Sequence, residues 1–225
     1  MVVPSSPSYS WWLLPRSSSD GPRVTKIVLA TRNAHKVVEL REILADLVGE
    51  IGLEIVGVSE FPDVEDVVED GVTFAENATL KAVAVTRATR LPAIADDSGL
   101  AVDVLGGAPG IFSARWAGAH GGDRANVDLL LSQLNDVKEE HRAAGFVCAA
   151  ALAMPDGRVF LREGQVRGTL TRAPRGTNGF GYDPILRVDG DTRTLAEYDS
   201  DQKNAISHRG KALRALAADL REVLG

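Results

Sequence analysis

The sequence predicts an α/β fold built on a central mixed, twisted sheet flanked by helices. Three observations predict it. A short apolar run at residues 25–30 passes straight into a stretch of helical periodicity. Strand and helix patterns then alternate, which implies parallel neighbours joined by crossover helices. Two apolar segments joined by Pro155-Asp156-Gly157 come later and read as an antiparallel hairpin.

Residues 1–23 are Ser/Pro-rich and aperiodic. They lack the apolar surface that would offset ordering entropy, so they are expected to form a mobile extension carrying Trp11 and Trp12. Residues 24–225 are expected to form one domain. TKIVLA reads as a short buried strand running through TRN into a helix whose apolar face holds Leu40, Ile43, Leu44, Leu47 and Val48. A second strand lies around LEIVGV, and an acidic loop follows. Thr73-Phe-Ala-Glu76 is a capping box, in which the Thr oxygen accepts a main-chain amide and the Glu reaches back, so a helix starts there. LPAIADD is the next strand and is expected to end in the Gly-rich stretch SGLAVDVLGGAPG. Residues 123–141 carry a stripe of Val127, Leu130, Leu131, Leu134 and Val137, which predicts an amphipathic helix. After the hairpin of FVCAAALAM and RVFLREGQVRG, a last helix is expected from about Ser207 to Leu224, burying Leu213, Leu216, Leu220 and Val223.

The 225 residues, 44% of them hydrophobic, suffice to bury a full core. No apolar stretch approaches the roughly 20 residues that span a bilayer, and the start lacks the basic and apolar regions of a signal peptide. The single cysteine, Cys148, lies in an apolar run and can form no internal disulfide, which favours a small core residue and a reducing, cytoplasmic setting. A net charge of -6 argues against nucleic-acid binding, which needs a basic surface to neutralise phosphates. The charge is unevenly spread, however. Between Arg41 and Lys81 eleven acids stand without one Lys or Arg, whereas the rest of the chain has 25 basic residues to 20 acids. The acidic stretch reads as a solvated face and loop, or as the source of one or two acids that hold a cation.

Four segments point to chemistry. TRNAHK, residues 31–36, begins a helix with Arg32, His35 and Lys36, although the partial positive charge of a helix N-terminus favours acids. Such cations make sense around an external anion, phosphate being the commonest; the alternative is a solvated basic turn capped by Asn33 or Thr31. The inversion recurs in SDQKNAISHRGKALR, where Lys203, His208, Arg209 and Lys211 surround the start of the last helix and Ser207 is the cap. Two such starts in one acidic chain point to a site that wraps a polyanion such as a nucleoside triphosphate. DDSG supplies the opposite charge: adjacent strand residues face opposite ways, so one of Asp96 and Asp97 does the main chemistry, and the other reading is a plain strand-end turn. In GTNGFGYDP, glycines 176, 179 and 181 let a ligand approach the backbone and Phe180 is placed to stack on a planar base, unless the segment is simply a loop with one buried aromatic.

TRNAHK, VTFAENATLKA, LPAIADDSGLAVDVLGGAPGIFSARWAG, GFGYDP and SHRG, in this order, resemble the Ham1-type inosine/xanthosine triphosphate pyrophosphatases over nearly the whole chain after about residue 25. The resemblance implies two lobes with a nucleotide cleft between them. It also implies hydrolysis of noncanonical purine nucleoside triphosphates (ITP, dITP, XTP) to monophosphate and pyrophosphate with Mg²⁺, in a homodimer. By motif, Thr31, Arg32, Asn33, Ala34, His35 and Lys36 resemble the phosphate-contacting turn. Asp97 resembles the proton acceptor and metal ligand, and Ser98 a substrate contact. Phe180, Gly181, Tyr182 and Asp183 resemble the base-binding loop, Lys203 a substrate-binding lysine, and His208 with Arg209 the pair that recognises the base; Lys81 reaches for the phosphates. Glu69 is the candidate second metal ligand. The chain departs from the family's pattern at Arg32, where Gly is common, at His35, where a small or polar residue is common, at Val68, where some relatives have Glu, and at Asn178, where Gly is usual.

The expected reaction is attack of water on the α-phosphorus, with Asp97 and Mg²⁺ at the centre and Lys36 and Lys81 stabilising the departing pyrophosphate. Donors from His208 or Arg209 aimed at a 6-keto oxygen would discriminate against adenine, whose amino group would leave them unpaired. A metal-dependent phosphatase releasing orthophosphate and a non-enzymatic nucleotide-binding module are the competing readings.

Overall fold

The computed structural model describes residues 25–118 and 122–225, so the expected N-terminal extension lies outside the described residues. Six strands form one mixed sheet: β1 (Thr25–Leu29), β2 (Leu53–Gly57), β3 (Ala93–Val102), β4 (Ala143–Ala153), β5 (Val159–Leu170) and β6 (Leu186–Val188). Their spatial order is β2-β1-β3-β4-β5-β6. β1 runs parallel to β2 and β3, and every pairing from β3 onward is antiparallel. Parallel crossovers early and a hairpin late thus give the mixed sheet expected.

Strand alternation divides the core. Ile27, Leu29 and Ile94 face helices α1 (Ala34–Ile43), α2 (Ala45–Ile51) and α6 (His208–Leu224), packing on Leu40, Leu44, Leu47, Leu213, Leu216 and Leu220. Val28, Ala93 and Ala95 face α3 (Phe74–Thr89), where Ala78, Ala82 and Val85 meet Ala149 and Ala151 of β4. Small side chains on both partners let α3 lie close to the sheet. A third cluster, at the far end of β3 to β5, joins Leu100, Val102, Phe146, Val166 and Ile185 to α4 (Asp123–Gln133) through Val127 and Leu130, and to Leu134 just past its end. Among the described residues no helix is long and apolar enough to cross a membrane.

The structure corrects several expected boundaries. The first helix breaks at Leu44, which leaves helical geometry (φ -93°, ψ 1°). Hydrogen bonds Leu44 N to Leu40 O and Val48 N to Leu44 O, each 3.0 Å, keep the apolar stripe aligned across the break. The helix expected over 123–141 stops at Gln133, and carbonyls beyond its end accept from arginines instead of from a further helical turn: Arg142 donates to Leu134 O (2.6 Å), and Arg172 to Asn135 O and Val137 O. A separate 3₁₀ turn follows at Glu139–His141. The strand holding Asp96 and Asp97 does not end there; ten-residue pairing with β4 keeps it extended to Val102. Gly99 permits this, since a Cβ there would collide with Gly110 O and Ser113 Oγ. Thr73 caps α3 by accepting from Glu76 N (3.1 Å), but the Glu76 carboxylate accepts from Val72 N (2.6 Å), one residue before the cap. A short helix, α5 (Ser200–Ile206), precedes α6, an element that the sequence pattern does not separate from the run-up to the last helix.

Candidate active site

A cavity of about 860 Å³ opens where β1 and β2 end. β1 pairs with β3 only at Val28↔Ala93 and Leu29↔Ile94, so Asp96, Asp97 and Ser98 project past the carboxyl end of β1 although they sit in the middle of β3. Thr31, Arg32, Asn33 and Lys36 line the cavity from the β1–α1 turn, Glu69 from the acidic loop and Lys81 from α3. Phe180 to Asp183, Lys203, His208 and Arg209 line it from the other side, whereas Ala34 and His35 stand outside the lining.

The two aspartates face opposite ways, as strand geometry requires, and their surroundings differ in kind. Asp96 is buried on the α6 side. Its Oδ2 accepts from Lys36 Nζ (3.0 Å), Arg209 Nε (3.1 Å) and Ser98 Oγ (3.3 Å), and its buried Oδ1 has no partner among the described residues. Burial alone would raise its carboxyl, but Lys36, Arg209 and Lys81 outweigh it and hold the group well below the usual carboxylate range. Asp97 faces α3. Its Oδ2 accepts from Asn77 Nδ2 (3.1 Å), and Lys81 Nζ stands 3.5 Å from Oδ1. Here burial prevails over Lys81 and Lys36, with Glu69 adding to it, and the carboxyl is raised. One acid is therefore locked as an anion while its neighbour is the stronger base.

The inverted helix starts are balanced largely from within. Asn33 caps α1 by accepting from Lys36 N (3.2 Å). Arg209, besides Asp96, donates to Ser98 Oγ (2.9 Å) and to Glu39. Lys203 stands in α5, not in a run-up to α6, and reaches Glu39 Oε1 (2.7 Å) and Asp183 Oδ2 (2.8 Å). Lys36, Lys203 and Arg209 thus meet Asp96, Glu39 and Asp183, so carboxylates that the sequence segments do not contain or reveal as partners share in balancing them. The more exposed cations of the two segments find other partners. Lys211 turns away to Gln165 O, and Arg32 turns to the acidic loop, donating to Asp66 Oδ1 (2.6 Å) and Val64 O (2.7 Å).

The aromatic loop is tied down on every side. Phe180 is half-buried. His35 stacks on it (ring centroids 5.5 Å apart, 22° between planes), and Lys203 Nζ lies 4.9 Å from its ring centroid. Gly179 has φ +73°, and a Cβ there would strike the Asp183 carboxylate. Asp183 accepts from Phe180 N (2.9 Å), and burial raises its carboxyl against the pull of Lys203. Tyr182 packs its ring in the core and donates to Ser113 O (2.9 Å), while Gly181 N donates to Asp123 Oδ2 (2.8 Å). His208 is buried against Phe146 (centroids 4.8 Å apart). Burial pushes its imidazole well below the ordinary 6.5, so it is neutral at pH 7. Cys148 is a core residue as expected, its thiol pushed up to about 12 by burial.

For a cation, the relevant donors are Asp97 Oδ1 and Glu69 Oε1, which both approach Lys81 Nζ, at 3.5 and 3.2 Å. Two carboxylate oxygens from separate elements converge on one positive centre. That all-oxygen set suits a hard divalent ion completed by phosphates and water. Among the described residues no three His, Cys, Asp or Glu side chains gather as a metal cage.

Sequence reasoning misses Glu39 and Asn77. Glu39 looks like any helix-surface acid, and its partners are 164 and 170 positions away. Asn77 lies inside the segment VTFAENATLKA, but nothing local marks it as buried.

Known proteins match this chain over most of its length. Residues 27–219 match the model of the Ham1 family. A dITP/XTP pyrophosphatase of Streptomyces avermitilis is 64% identical over 204 residues, spanning 90% of this chain and 100% of that protein. One from Corynebacterium efficiens is 50% identical, spanning 89% and 99%. Among solved structures, a HAM1 protein from Coxiella burnetii aligns with a TM-score of 0.79 at 42% identity, over 89% of this chain and 100% of that one. A nucleoside-triphosphatase, dITP/XTP pyrophosphatase, from Mycobacterium abscessus aligns with a TM-score of 0.71 at 48% identity, over 85% and 98%. This chain belongs to the Ham1 family.

Proposed function

We propose that this chain hydrolyses noncanonical purine nucleoside triphosphates, dITP, ITP and XTP, to the monophosphate and pyrophosphate. The observation that carries the reading is the raised carboxylate of Asp97 in a cavity also lined by Lys36, Lys81 and Arg209, with its neighbour Asp96 held ionised behind that wall by Lys36 and Arg209. A volume of about 860 Å³ suits a ligand of nucleotide size. The names of the relatives supply the substrate class.

In this reading Asp97 accepts the proton of the water that attacks the α-phosphorus. The bond to the bridging oxygen breaks, and pyrophosphate leaves toward Lys36 and Lys81. Asp97 and Glu69 would hold Mg²⁺, which when bound neutralises triphosphate charge and polarises phosphorus. Thr31, Arg32 and Asn33 line the phosphate end, with Ser98 beside Asp97. Phe180 offers a face to the base, and neutral His208 stands at the same wall as Arg209. Arg209 already serves Asp96, Glu39 and Ser98, which favours His208 as the donor to a 6-keto oxygen. The reading includes a homodimer acting in the cytoplasm, supported by the family resemblance and by a single cysteine that is free and buried.

The test is product identity. Incubation with dITP and Mg²⁺ should yield dIMP and pyrophosphate; dIDP with orthophosphate would move the chain to the phosphatase class. Asp97→Asn should lower kcat by about 10³ or more with folding intact. Undiminished turnover in that variant would remove Asp97 as the base, and no turnover in the unaltered protein would leave a nucleotide-binding module.

A further inference from the structure

The loop that carries Glu69 has no regular structure over residues 64–72, yet Glu69 must stand beside Asp97, which belongs to a rigid central strand. One side chain spans the two. Asn77, near the start of α3 and 1% exposed, accepts from Gly71 N through Oδ1 (2.9 Å) and donates to Asp97 Oδ2 through Nδ2 (3.1 Å). Gly71 is two residues from Glu69, so the amide ties the loop to the strand close to both carboxylates.

The chemistry of the bridge is specific. It needs an acceptor toward a main-chain N–H and a donor toward a carboxylate, both on one short side chain, and a primary amide supplies both. The reversed amide would set NH₂ against N–H and oxygen against carboxylate, so only one orientation satisfies the two partners. Asparagine is also a poor helix former, and its burial in a helix is tolerated because both ends are paired. Gly71 fits closely beneath it, as a Cβ there would lie 2.6 Å from Asn77 Oδ1. The upstream hold on the loop, Arg32 to Asp66, is exposed to solvent and correspondingly weaker.

We propose that Asn77 is a positioning residue that sets the separation of Glu69 and Asp97 and so determines divalent-cation affinity. This rests on the reading that those two carboxylates hold the cation. Removing the amide should release the loop and leave Asp97 with one fewer donor. Losses of about 10- to 100-fold in metal affinity are the usual result of removing such outer partners.

The experiment uses the full chain and four variants: Asn77→Leu, Asn77→Asp, Gly71→Ala and Glu69→Gln. Gly71→Ala pushes on the bridge from the loop side and leaves Asn77 in place, which keeps the test alive if an Asn77 variant does not fold. Two quantities are read: the Mg²⁺ activation constant for dITP hydrolysis, against the KM for dITP at saturating Mg²⁺, and Mn²⁺ retained in equilibrium dialysis with α,β-methylene-dITP. Asn77→Leu and Gly71→Ala should raise the activation constant about tenfold or more and weaken Mn²⁺ retention in step, with the KM for dITP changed less than about threefold. Asn77→Asp keeps the acceptor for Gly71 N but turns an oxygen on Asp97, and should behave likewise. Unchanged metal constants in the Asn77 and Gly71 variants, alongside weakened Mn²⁺ retention in Glu69→Gln, would overturn the role of Asn77 alone. Unchanged Mn²⁺ retention in Glu69→Gln would overturn the underlying metal reading.

Discussion

Ion pairs stand on two sides of the cavity, and water reaches them very differently. On the α6 side the side chains of Asp96, Arg209, Asp183 and Lys203 are at most 6% exposed. On the side of the acidic loop, Arg32 is 45% and Asp66 86% exposed. A buried ion pair is expensive to assemble and its geometry is narrow, because each charge given up by water must find a replacement in the protein. An exposed pair is weak and rearranges at little cost. The buried group therefore pre-organises one wall of the cavity, and the exposed pair can re-form around an arriving polyanion.

The strongest test of that contrast is Asp96→Asn. It removes the negative charge shared by Lys36 and Arg209 where no solvent replaces it. The unfolding free energy in urea should fall by roughly 3–5 kcal/mol, the usual consequence of breaking a buried pair from one side. A loss below about 1 kcal/mol would show the buried group to be no more committed than the exposed one.

A second test uses pH. His208 lies in the buried wall with its imidazole held well below 6.5 by burial, so beneath pH 6.5 the unfolded chain binds a proton that the folded chain does not. Stability then falls as pH falls, with this group contributing up to about 1.4 kcal/mol per pH unit. The carboxyls lowered in the fold, Asp96 and Glu39, act only at more acid pH, and the raised ones, Asp97 and Asp183, act with the opposite sign. The difference between the chain and its His208→Gln variant isolates the histidine: it should change by about 1 kcal/mol between roughly pH 6.5 and 5.5. Parallel stability curves would mean that His208 is hydrated.

The same contrast explains what can be read in the sequence. Local signals are legible: the Thr73 and Ser207 caps, the alternation that separates Asp96 from Asp97, and the turn at Gly157 all depend on neighbours a few residues away. Elements set by distant partners are not. Asp-Asp-Ser-Gly resembles a strand end, and it is β4 that keeps it extended. The helix expected to reach residue 141 ends at Gln133, and distant Arg142 and Arg172 take carbonyls that a further turn would have used. Lys203 and Arg209 are legible as cations, but the carboxylate that joins them, Glu39, lies in α1, far off in sequence. Motifs thus expose the chemistry of the cavity while leaving its internal balance of charge hidden.

The smallest effect should come from Arg32→Ala. Its pair with Asp66 is open to water, so losing it should reduce stability by less than about 1 kcal/mol. Its second bond, to Val64 O, holds main chain of the acidic loop, but the loop is also held from the far side by Asn77 at Gly71. Loop position should therefore persist, and the Mg²⁺ activation constant should change less than in Asn77→Leu. An exposed cation at the phosphate end can still turn from Asp66 to the substrate, so the change belongs in the KM for dITP, raised a few-fold, with kcat nearly constant. Such an effect should fade as salt rises from about 0.05 to about 0.5 M, since screening acts on exposed charges and spares buried ones. A salt-independent loss in kcat would place Arg32 with the buried wall and dissolve the contrast between the two sides.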